Sequence, residues 1–494
     1  MRWVVAGVAV LAIVLSVWQL EQDRAGLSIG PLETAGGPPA TLYLPEDGGA
    51  APAVVIAHGF AGSRQLMESY ALSLARAGYI VASFDFMGHG RNPRPMSGDV
   101  TSVDGTTRLM QDEVQAVARA VLALPRADGR LAYLGHSMAS DIIVRAALQE
   151  PKPEAVVAVS MFSQAVTAVE PANLLVIVGD WEARLKDEAL RAVRLADADA
   201  VAGQTVGDMA AGTARRAVFA PGVEHVGVLY STTAQREAVL WLDAVFGRVS
   251  DAIPVQRGGW ILLLLAGITA LAWPLARFLP EGPAVVPVPR TAFLLAALGP
   301  VVVVPLVLWP VDIRILPVLV ADYLTLHFAL YGALTLAILA RYGGLAGQFG
   351  PRVWRMAPLI AAVCLVMFGL VLDRYVASFV PQGQRVLIIL GLALGAVPFM
   401  LGDALLTEGG KAPVWRVLLA RGGFLLSLML AVALDFAGLM FLLIILPVIL
   451  LFFLLFGTIA GWIGRRTGLP AAAGLGLGLM LAWSLGVTFP IFAP

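Results

Sequence analysis

Residues 131–140 read LAYLGHSMAS, an apolar run that ends in glycine, histidine and serine and continues with small residues. The run predicts a buried strand over residues 129–137, and the residues after it predict a helix over 140–150. Ser137 therefore lies at a strand-to-helix turn, with a glycine two positions before it and an alanine two positions after it. Two interpretations are open. The serine either caps the helix N-terminus, or it is an attacking group on a strained turn that needs small neighbours.

Similar apolar runs occur on both sides of this stretch and alternate with amphipathic segments. The predicted strands cover residues 27–33, 40–46, 51–60, 79–86, 129–137, 154–162, 173–180 and 214–225. The predicted helices cover residues 68–79, 107–124, 140–150 and 183–196. Apolar strands that alternate with helices are typical of a parallel sheet covered on both faces. The sequence therefore predicts an α/β fold with an open sheet, whose chemistry takes place at the carboxyl ends of the strands.

A serine nucleophile at such a turn needs a histidine base that follows it along the chain. The chain has five histidines, and three of them precede or adjoin Ser137. Of the two later ones, His327 lies within an apolar membrane span, whereas His225 directly follows the last predicted strand. His225 is therefore the predicted base, and its position favours the nucleophile interpretation of Ser137 over the capping one.

Three short motifs in this region together resemble the α/β-hydrolase family over about residues 40–248. They are HGF at 58–60, DFMGHGRN at 85–92 and GHSMA at 135–139. GHSMA departs from the pattern G-x-S-x-G by an alanine at its last position. The resemblance implies an α/β-hydrolase-like open sheet domain with a Ser-acid-His triad.

The resemblance also implies where the triad acid and the oxyanion hole lie. The family's acid commonly follows the glycine that closes the predicted strand 173–180 by three residues, which is Glu182. Asp180 is the alternative, since either carboxylate can orient an imidazole. The family's His-Gly loop implies that the Phe60 amide stabilises the oxyanion, together with the Met138 amide directly after the nucleophile.

Composition indicates a membrane protein that carries one water-soluble domain. The chain has 494 residues, of which 59% are hydrophobic and 14% charged, whereas ordinary globular domains have about 25% charged residues. The net charge is zero, so nothing suggests a nucleic-acid partner. The only cysteine excludes a disulfide within the chain. The predicted organisation is an N-terminal transmembrane anchor 1–20, a linker 21–37, an α/β-hydrolase domain 38–249, a linker 250–259 and a bundle of about eight helices 260–494.

Eight C-terminal runs are long enough to cross about 30 Å of hydrocarbon. They cover residues 260–278, 291–309, 323–340, 356–373, 386–405, 417–434, 437–460 and 470–491. The first run, 3–20, has a cleaved signal peptide as its rival interpretation. It ends without a small-residue cleavage site, which favours an uncleaved anchor.

The basic residues of the short loops predict the orientation of these spans. Alternating spans with the N-terminus inside put ten of them in the cytoplasm: Arg277, Arg290, Arg341, Arg352, Arg355, Lys411, Arg416, Arg421, Arg465 and Arg466. Only Arg314, Arg374 and Arg385 then lie outside. We therefore expect a multi-pass protein of the cytoplasmic membrane with its sheet domain on the extracytoplasmic side.

These expectations combine into a membrane-embedded serine hydrolase that cleaves carboxylic esters through an acyl-enzyme. The substrate would be a small-molecule or lipid acyl ester near the lipid bilayer, and no cofactor or metal is implied. Thioester, amide or peptide hydrolysis stays open, as does acyl transfer by the same serine. A transporter or sensor with an accessory hydrolase-like domain is the alternative from another class. Only residues 163–172 separate two predicted strands where related enzymes often insert a helical lid, so we expect an open site.

Overall fold

Mainly apolar strands form the centre of a nine-stranded sheet in the computed structural model, which describes residues 1–99, 102–251 and 253–493. The strands are β1 Leu27–Leu32, β2 Ala40–Pro45, β3 Ala51–Ala57, β4 Ile80–Phe84, β5 Ala127–His136, β6 Ala155–Val159, β7 Leu174–Gly179, β8 Thr205–Val206 and β9 Arg215–Ala220. Their order in the sheet is β1-β2-β4-β3-β5-β6-β7-β9-β8. Every residue of β3, β4, β6 and β7 is buried, as in sheets covered on both faces.

The predicted parallel sheet is correct for its centre and needs correction at its edges. The strands from β4 through β3, β5, β6 and β7 to β9 pair in parallel, whereas β1, β2 and β8 pair antiparallel. β1 lies inside residues 21–37, which the sequence analysis assigned to a linker. Its first and last residues are buried, and all six residues pair with β2, so the sheet begins within that segment, at the strand predicted over residues 27–33.

Helices cover both faces of the sheet. After α1 (Arg2–Gln22), the helices of this domain are α2 Glu68–Arg76, α3 Arg108–Leu122, α4 Met138–Ala146, α5 Ala183–Arg194 and α6 Thr232–Phe246. Single helical turns also occur at Arg64–Met67, Val103–Thr107 and Gly227–Tyr230. One apolar core joins α3, α4 and α5 to the sheet, and a second joins α2 and α6 to its other face. The sequence analysis missed α6, which closes the second core.

Nine helices in the described part of the chain are long and apolar enough to cross a membrane. Besides α1, they are α7 Arg257–Leu275, α8 Arg290–Leu308, α9 Ala321–Arg341, α10 Pro351–Tyr375, α11 Arg385–Leu406, α12 Val414–Leu434, α14 Leu442–Thr467 and α15 Pro470–Thr488. Short helical turns lie at Ala276–Phe278 and Glu408–Gly410. The span predicted for 437–460 instead begins later, because Asp435 caps a separate turn, α13 (Phe436–Leu439), by accepting a hydrogen bond from the Gly438 amide.

The sheet domain contacts the bundle at one end of the helices. These contacts involve the end of α1, the beginning of α7, the end of α10, the beginning of α11 and the residues after α15. When one helix ends and the next begins on the same side of the bundle, the two helices run in opposite directions. The contacts therefore fit helices that alternate in direction through the bundle, with the sheet domain on the side where α1 ends.

Several polar side chains within the bundle are paired with one another. His327 Nε2 on α9 lies 3.0 Å from Ser427 Oγ on α12. Asp403 on α11 accepts two hydrogen bonds from the Arg421 guanidinium on α12, at 3.1 and 3.0 Å. Charged groups at this depth are costly unless they are paired. These contacts therefore join α12 to α9 and α11.

A buried carboxylate joins the two segments that connect the sheet domain to the bundle. Glu68, the first residue of α2, accepts a hydrogen bond from Arg257 Nη2 at 2.6 Å and another from Arg24 Nη1. Arg257 also donates to the Leu20 carbonyl at the end of α1. The side chains of Glu68 and Arg257 are only 3% and 1% exposed. The charge of Glu68 therefore compensates guanidinium charge that has little access to water.

We predict that Glu68→Ala lowers the stability of the protein markedly. Removing one partner of a buried ion pair costs about 3–5 kcal/mol, because the other charge is left uncompensated. For a domain of this size, that cost corresponds to a fall of roughly 10 °C in the unfolding midpoint Tm. Thermal unfolding of the full chain in detergent measures the effect. Glu33→Ala is the control, since Glu33 is exposed, and equal Tm values for the two variants would contradict the prediction.

Candidate active site

Ser137 lies on a strained turn between β5 and α4. Its φ and ψ are 54° and −119°, values that a residue with a side chain adopts only where its surroundings enforce them. The Ser137 amide donates to the Val159 carbonyl of β6 at 2.9 Å, which fixes the turn to the sheet. A Cβ on Gly135 would approach the Ala139 carbonyl oxygen to 2.9 Å, so this position requires glycine. The local geometry is that of a nucleophile elbow.

Three predicted site residues from three loops meet at this turn. His225 Nε2, from the loop after β9, lies 2.8 Å from Ser137 Oγ. His225 Nδ1 lies 2.5 Å from Glu182 Oε1, in the loop after β7. A neutral imidazole with its proton on Nδ1 donates to the carboxylate and accepts from the serine hydroxyl. The arrangement allows a proton to move from Ser137 to His225 beside a negative charge.

The Glu182 carboxylate is held in its ionised form. Its Oε2 atom accepts hydrogen bonds from the Gly179 amide at 2.7 Å and the Ser160 hydroxyl at 2.8 Å. Burial pushes the pKa of Glu182 upward, but the hydrogen bonds from His225, Ser160 and Gly179 outweigh burial and lower this pKa below its ordinary value. Glu182 therefore stays charged while it orients His225.

Asp180, the alternative acid, does not meet His225. Its Oδ1 atom lies 3.0 Å from Lys186 Nζ, and its side chain is 50% exposed. The two carboxylates therefore lie in different surroundings, one beside the imidazole and one at the surface.

Sequence reasoning missed the part of Ser160. The residue directly follows β6 and has a φ of 51°, so that its hydroxyl reaches Glu182. The available signal was a serine at the carboxyl end of a buried strand, the same signal that pointed to Ser137. That signal does not reveal which neighbouring side chain the hydroxyl would meet.

The two predicted oxyanion donors lie next to the nucleophile. Met138 is the first residue of α4, where backbone amides have no partner within the helix. A Cβ on Gly59 would lie 3.1 Å from the Ser137 Cβ, so the loop that carries Phe60 closely approaches the serine. Within the described residues, neither the Phe60 amide nor the Met138 amide donates to a protein acceptor. Both amides are thus available to a ligand.

Buried histidines support the loops around the site. His58 Nδ1 donates to the Gly59 carbonyl at 2.8 Å, and its Nε2 accepts from the Phe86 amide at 3.1 Å. Because the second contact needs a free lone pair, His58 has to be neutral, and burial lowers its pKa in agreement with this. Asp85 accepts from the amides of Arg64 and Arg91 at 2.8 and 3.0 Å. These side chains fix the oxyanion loop against the loop after β4.

His136 has a similar positioning contact beneath His225. Its Nε2 donates to the His225 carbonyl at 2.9 Å, and its side chain lies in the interior. Burial lowers the pKa of His136 to about 3, with the nearby His225 acting in the same direction. His136 therefore stays neutral over the physiological pH range and holds the backbone of the His225 loop.

The described residues contain no group of three or more His, Cys, Asp or Glu side chains that could hold a metal ion.

Comparisons with known proteins agree with this geometry. Residues 49–201 match the family model described as serine aminopeptidase, S33. An uncharacterized protein found in two strains of Mycobacterium tuberculosis is 33% identical over 122 residues, which make up 24% of this chain and 40% of the relative. The match thus spans less than half the length of these curated relatives.

Solved structures align with the same part of the chain. A dienelactone hydrolase from Anabaena variabilis is 18% identical with a TM-score of 0.33, and the alignment covers 44% of this chain and 97% of that one. A lipase in its open form is 12% identical with a TM-score of 0.34, covering 45% of this chain and 100% of that one. The family match includes β3 to α5 and therefore the turn that carries Ser137. The sheet domain of this chain therefore has an α/β-hydrolase-like fold, and residues 49–201 within it match the family model.

Proposed function

We propose that this chain is a membrane-bound serine hydrolase that cleaves carboxylic esters outside the cytoplasmic membrane. The observation that carries the proposal is the continuous series of contacts from Ser137 Oγ through the His225 imidazole to Glu182. This arrangement is the one that acyl transfer to serine requires. The free amides of Phe60 and Met138 support it, since they lie where negative charge would develop on an acyl oxygen.

The proposed reaction proceeds through an acyl-enzyme. Ser137 Oγ attacks the ester carbonyl while His225 Nε2 takes the hydroxyl proton, and Glu182 stabilises the imidazolium that forms. The tetrahedral oxyanion accepts hydrogen bonds from the two amides. Collapse of the intermediate breaks the bond to the alcohol oxygen, which leaves with the proton from His225. Water then attacks the acyl-enzyme with His225 as base, releasing the carboxylic acid and restoring the Ser137 hydroxyl.

Solvent access to the base is consistent with hydrolysis of the acyl-enzyme. The His225 side chain is 43% exposed, so water can reach the imidazole that activates it. Acyl transfer would use the same serine, and analysis of the products in the presence of an added alcohol distinguishes the two reactions.

The charge distribution of the loops supports the proposed localisation. The contacts between the sheet domain and the bundle place this domain at the end where α1 finishes. The first turns of α10 carry Arg352 and Arg355 and lie at the opposite end of the bundle. Loops rich in arginine stay in the cytoplasm, so the sheet domain would lie outside.

We predict that Ser137→Ala and His225→Ala each lower ester turnover by roughly four to six powers of ten, because the two residues act as a unit. For the same reason, the double variant should be scarcely slower than either single one. Turnover of a soluble ester and labelling by a fluorophosphonate probe measure the effect. Wild-type turnover or labelling in Ser137→Ala would disprove the assignment of the nucleophile.

We predict that Glu182→Gln lowers turnover by about three powers of ten or more, because a neutral amide does not stabilise the imidazolium. Asp180→Asn is the matched control, since Asp180 contacts Lys186 at the surface, and it should keep nearly full activity. Steady-state kinetics on one ester compares the two variants. A larger loss in Asp180→Asn than in Glu182→Gln would transfer the role of the acid to Asp180.

We predict that a reporter enzyme active only outside the cytoplasm is active when it is fused after Val249 and inactive when it is fused within residues 342–355. The first position follows the sheet domain, and the second comprises the loop before α10 and the first turns of α10, which carry Arg352 and Arg355. Reporter activity in whole cells, normalised to the amount of fusion protein, gives the result. The opposite pattern would put the hydrolase domain in the cytoplasm.

A further inference from the structure

The catalytic edge of the sheet faces the bundle. Arg91, in the loop after β4, donates through Nη2 to Asp373 Oδ2 at the end of α10, at 2.5 Å. Arg385, the first residue of α11, is only 2% exposed and donates to the Gly88 carbonyl at 2.8 Å. The Ser378 amide, between these two helices, donates to Ser63 Oγ in the loop after β3. Because these loops lie at the carboxyl ends of the strands, the same edge that carries Ser137 lies against the helix ends.

A bundle residue reaches the oxyanion loop itself. The ring of Phe60, whose amide is a proposed oxyanion donor, packs against the ring of Phe441 with 5.1 Å between ring centroids. Phe441 directly precedes α14, one of the helices that are apolar enough to span a membrane. An acyl group whose carbonyl oxygen binds the Phe60 amide would therefore have Phe441 close to it.

Apolar residues adjoin Phe441 along the chain. Met440 is 43% exposed, and Phe436 on α13 is 61% exposed. The chain carries no charged residue from Phe436 through Gly464, whereas Asp435 precedes this stretch and caps α13. An acyl chain along Phe441, Met440 and Phe436 would therefore contact apolar side chains.

The loops that carry the triad also expose apolar side chains at this edge. Trp181 adjoins Glu182 and is 69% exposed, and Val226 adjoins His225 and is 47% exposed. Phe162, two residues after Ser160, is 62% exposed. Exposed apolar groups clustered around a site mark a surface that binds apolar ligands or a membrane. Tryptophan in particular is enriched at the level of the lipid headgroups.

The sheet domain has no helical lid between β6 and β7. Residues 160–173, which connect β6 to β7, are all described and contain no helix. The short loop leaves the triad side accessible, while α13 and the beginning of α14 adjoin the oxyanion side through Phe441. The wall of the site that contacts the acyl chain is therefore supplied by the membrane part of the same chain.

We infer that the surface formed by Phe60, Phe441, Met440 and Phe436 binds the long acyl chain of a diacyl phospholipid, which reaches Ser137 from the adjacent leaflet of the bilayer. This inference rests on the proposed function, since it uses the same serine. The substrate would then be an ester of the surrounding membrane. Phe441 and Met440 would determine the specificity for long acyl chains.

The test uses the full chain in proteoliposomes of dioleoyl phosphatidylethanolamine and dioleoyl phosphatidylglycerol. Release of oleic acid from the vesicle lipid is measured by mass spectrometry, and turnover of p-nitrophenyl butyrate is measured in parallel. Wild type should release oleic acid. Phe441→Asp should lower the ratio of phospholipid to butyrate turnover by about tenfold or more, because the charge faces the acyl chain, whereas Phe441→Leu should largely keep the ratio.

Two further variants keep the test decisive. Fluorophosphonate labelling of Ser137 shows whether the Phe441→Asp variant is folded. Met440→Asp changes an exposed side chain, so it should fold and lower the same ratio even if Phe441→Asp does not fold. Ile253→Asp is the matched control, because Ile253 is 77% exposed and lies in the segment before α7, and it should leave both activities unchanged.

The outcomes separate this inference from the proposed function. Turnover of the butyrate ester without release of oleic acid would overturn the inference and leave the hydrolase assignment standing. An equal loss of both activities in Met440→Asp, with Ser137 still labelled, would also overturn it. Full activity on both substrates in Ser137→Ala would instead overturn the proposed function.

Discussion

The arrangement of this molecule depends on one buried carboxylate. Glu68 lies between Arg24, just after the first apolar helix, and Arg257, the first residue of the next one. The chain leaves the bundle and returns to it at these two points, so the contact fixes both connections to helix α2 of the sheet domain. A buried ion pair adds little net stability compared with apolar packing, but it tolerates no loss of a partner. Its consequence here is orientation, because it keeps the catalytic edge of the sheet against the helix ends.

The central part of the fold and the meeting of Ser137, His225 and Glu182 could be predicted because their signals are local. A fully apolar strand such as β3 or β6 identifies itself by composition; the order of serine, acid and histidine along the chain leaves two histidines, and the membrane span around His327 excludes the second. The two residues of β8 give no clear pattern, and β1, although predicted as a strand over 27–33, lies in a segment that was assigned to a linker. The hydroxyl of Ser160 and the imidazole of His136 act through neighbours that only the folded chain brings together.

Contacts between the two parts of the chain could not be predicted at all. Phe60 and Phe441 are each ordinary apolar residues in apolar surroundings, and nothing in either segment indicates the other. The pairing of Asp403 with Arg421 is similar, since each residue taken alone resembles a charge at the end of a span. Within the hydrocarbon region such a charge requires a partner, so the pair follows from the low dielectric constant once the helices are packed. An anchor would need fewer helices, and the contacts of α10, α11 and α14 with the catalytic loops give the additional helices a structural role.

Attachment to a bilayer also changes the cost of an open site. In water, exposed side chains such as Trp181, Phe162 and Val226 around a catalytic serine would favour aggregation, and a lid that covers them would be an advantage. At a membrane surface the same side chains lie among headgroups and acyl chains, where aromatic residues are stable. The sheet domain is connected to the bundle at both of its ends, which keeps the site beside its proposed substrate. The effective concentration of ester at the site then depends on the ester content of the leaflet and not on diffusion through water. A domain held in this way at a bilayer would not need a lid, because the bilayer and the adjoining ends of the bundle would limit the access of water to one side of the site.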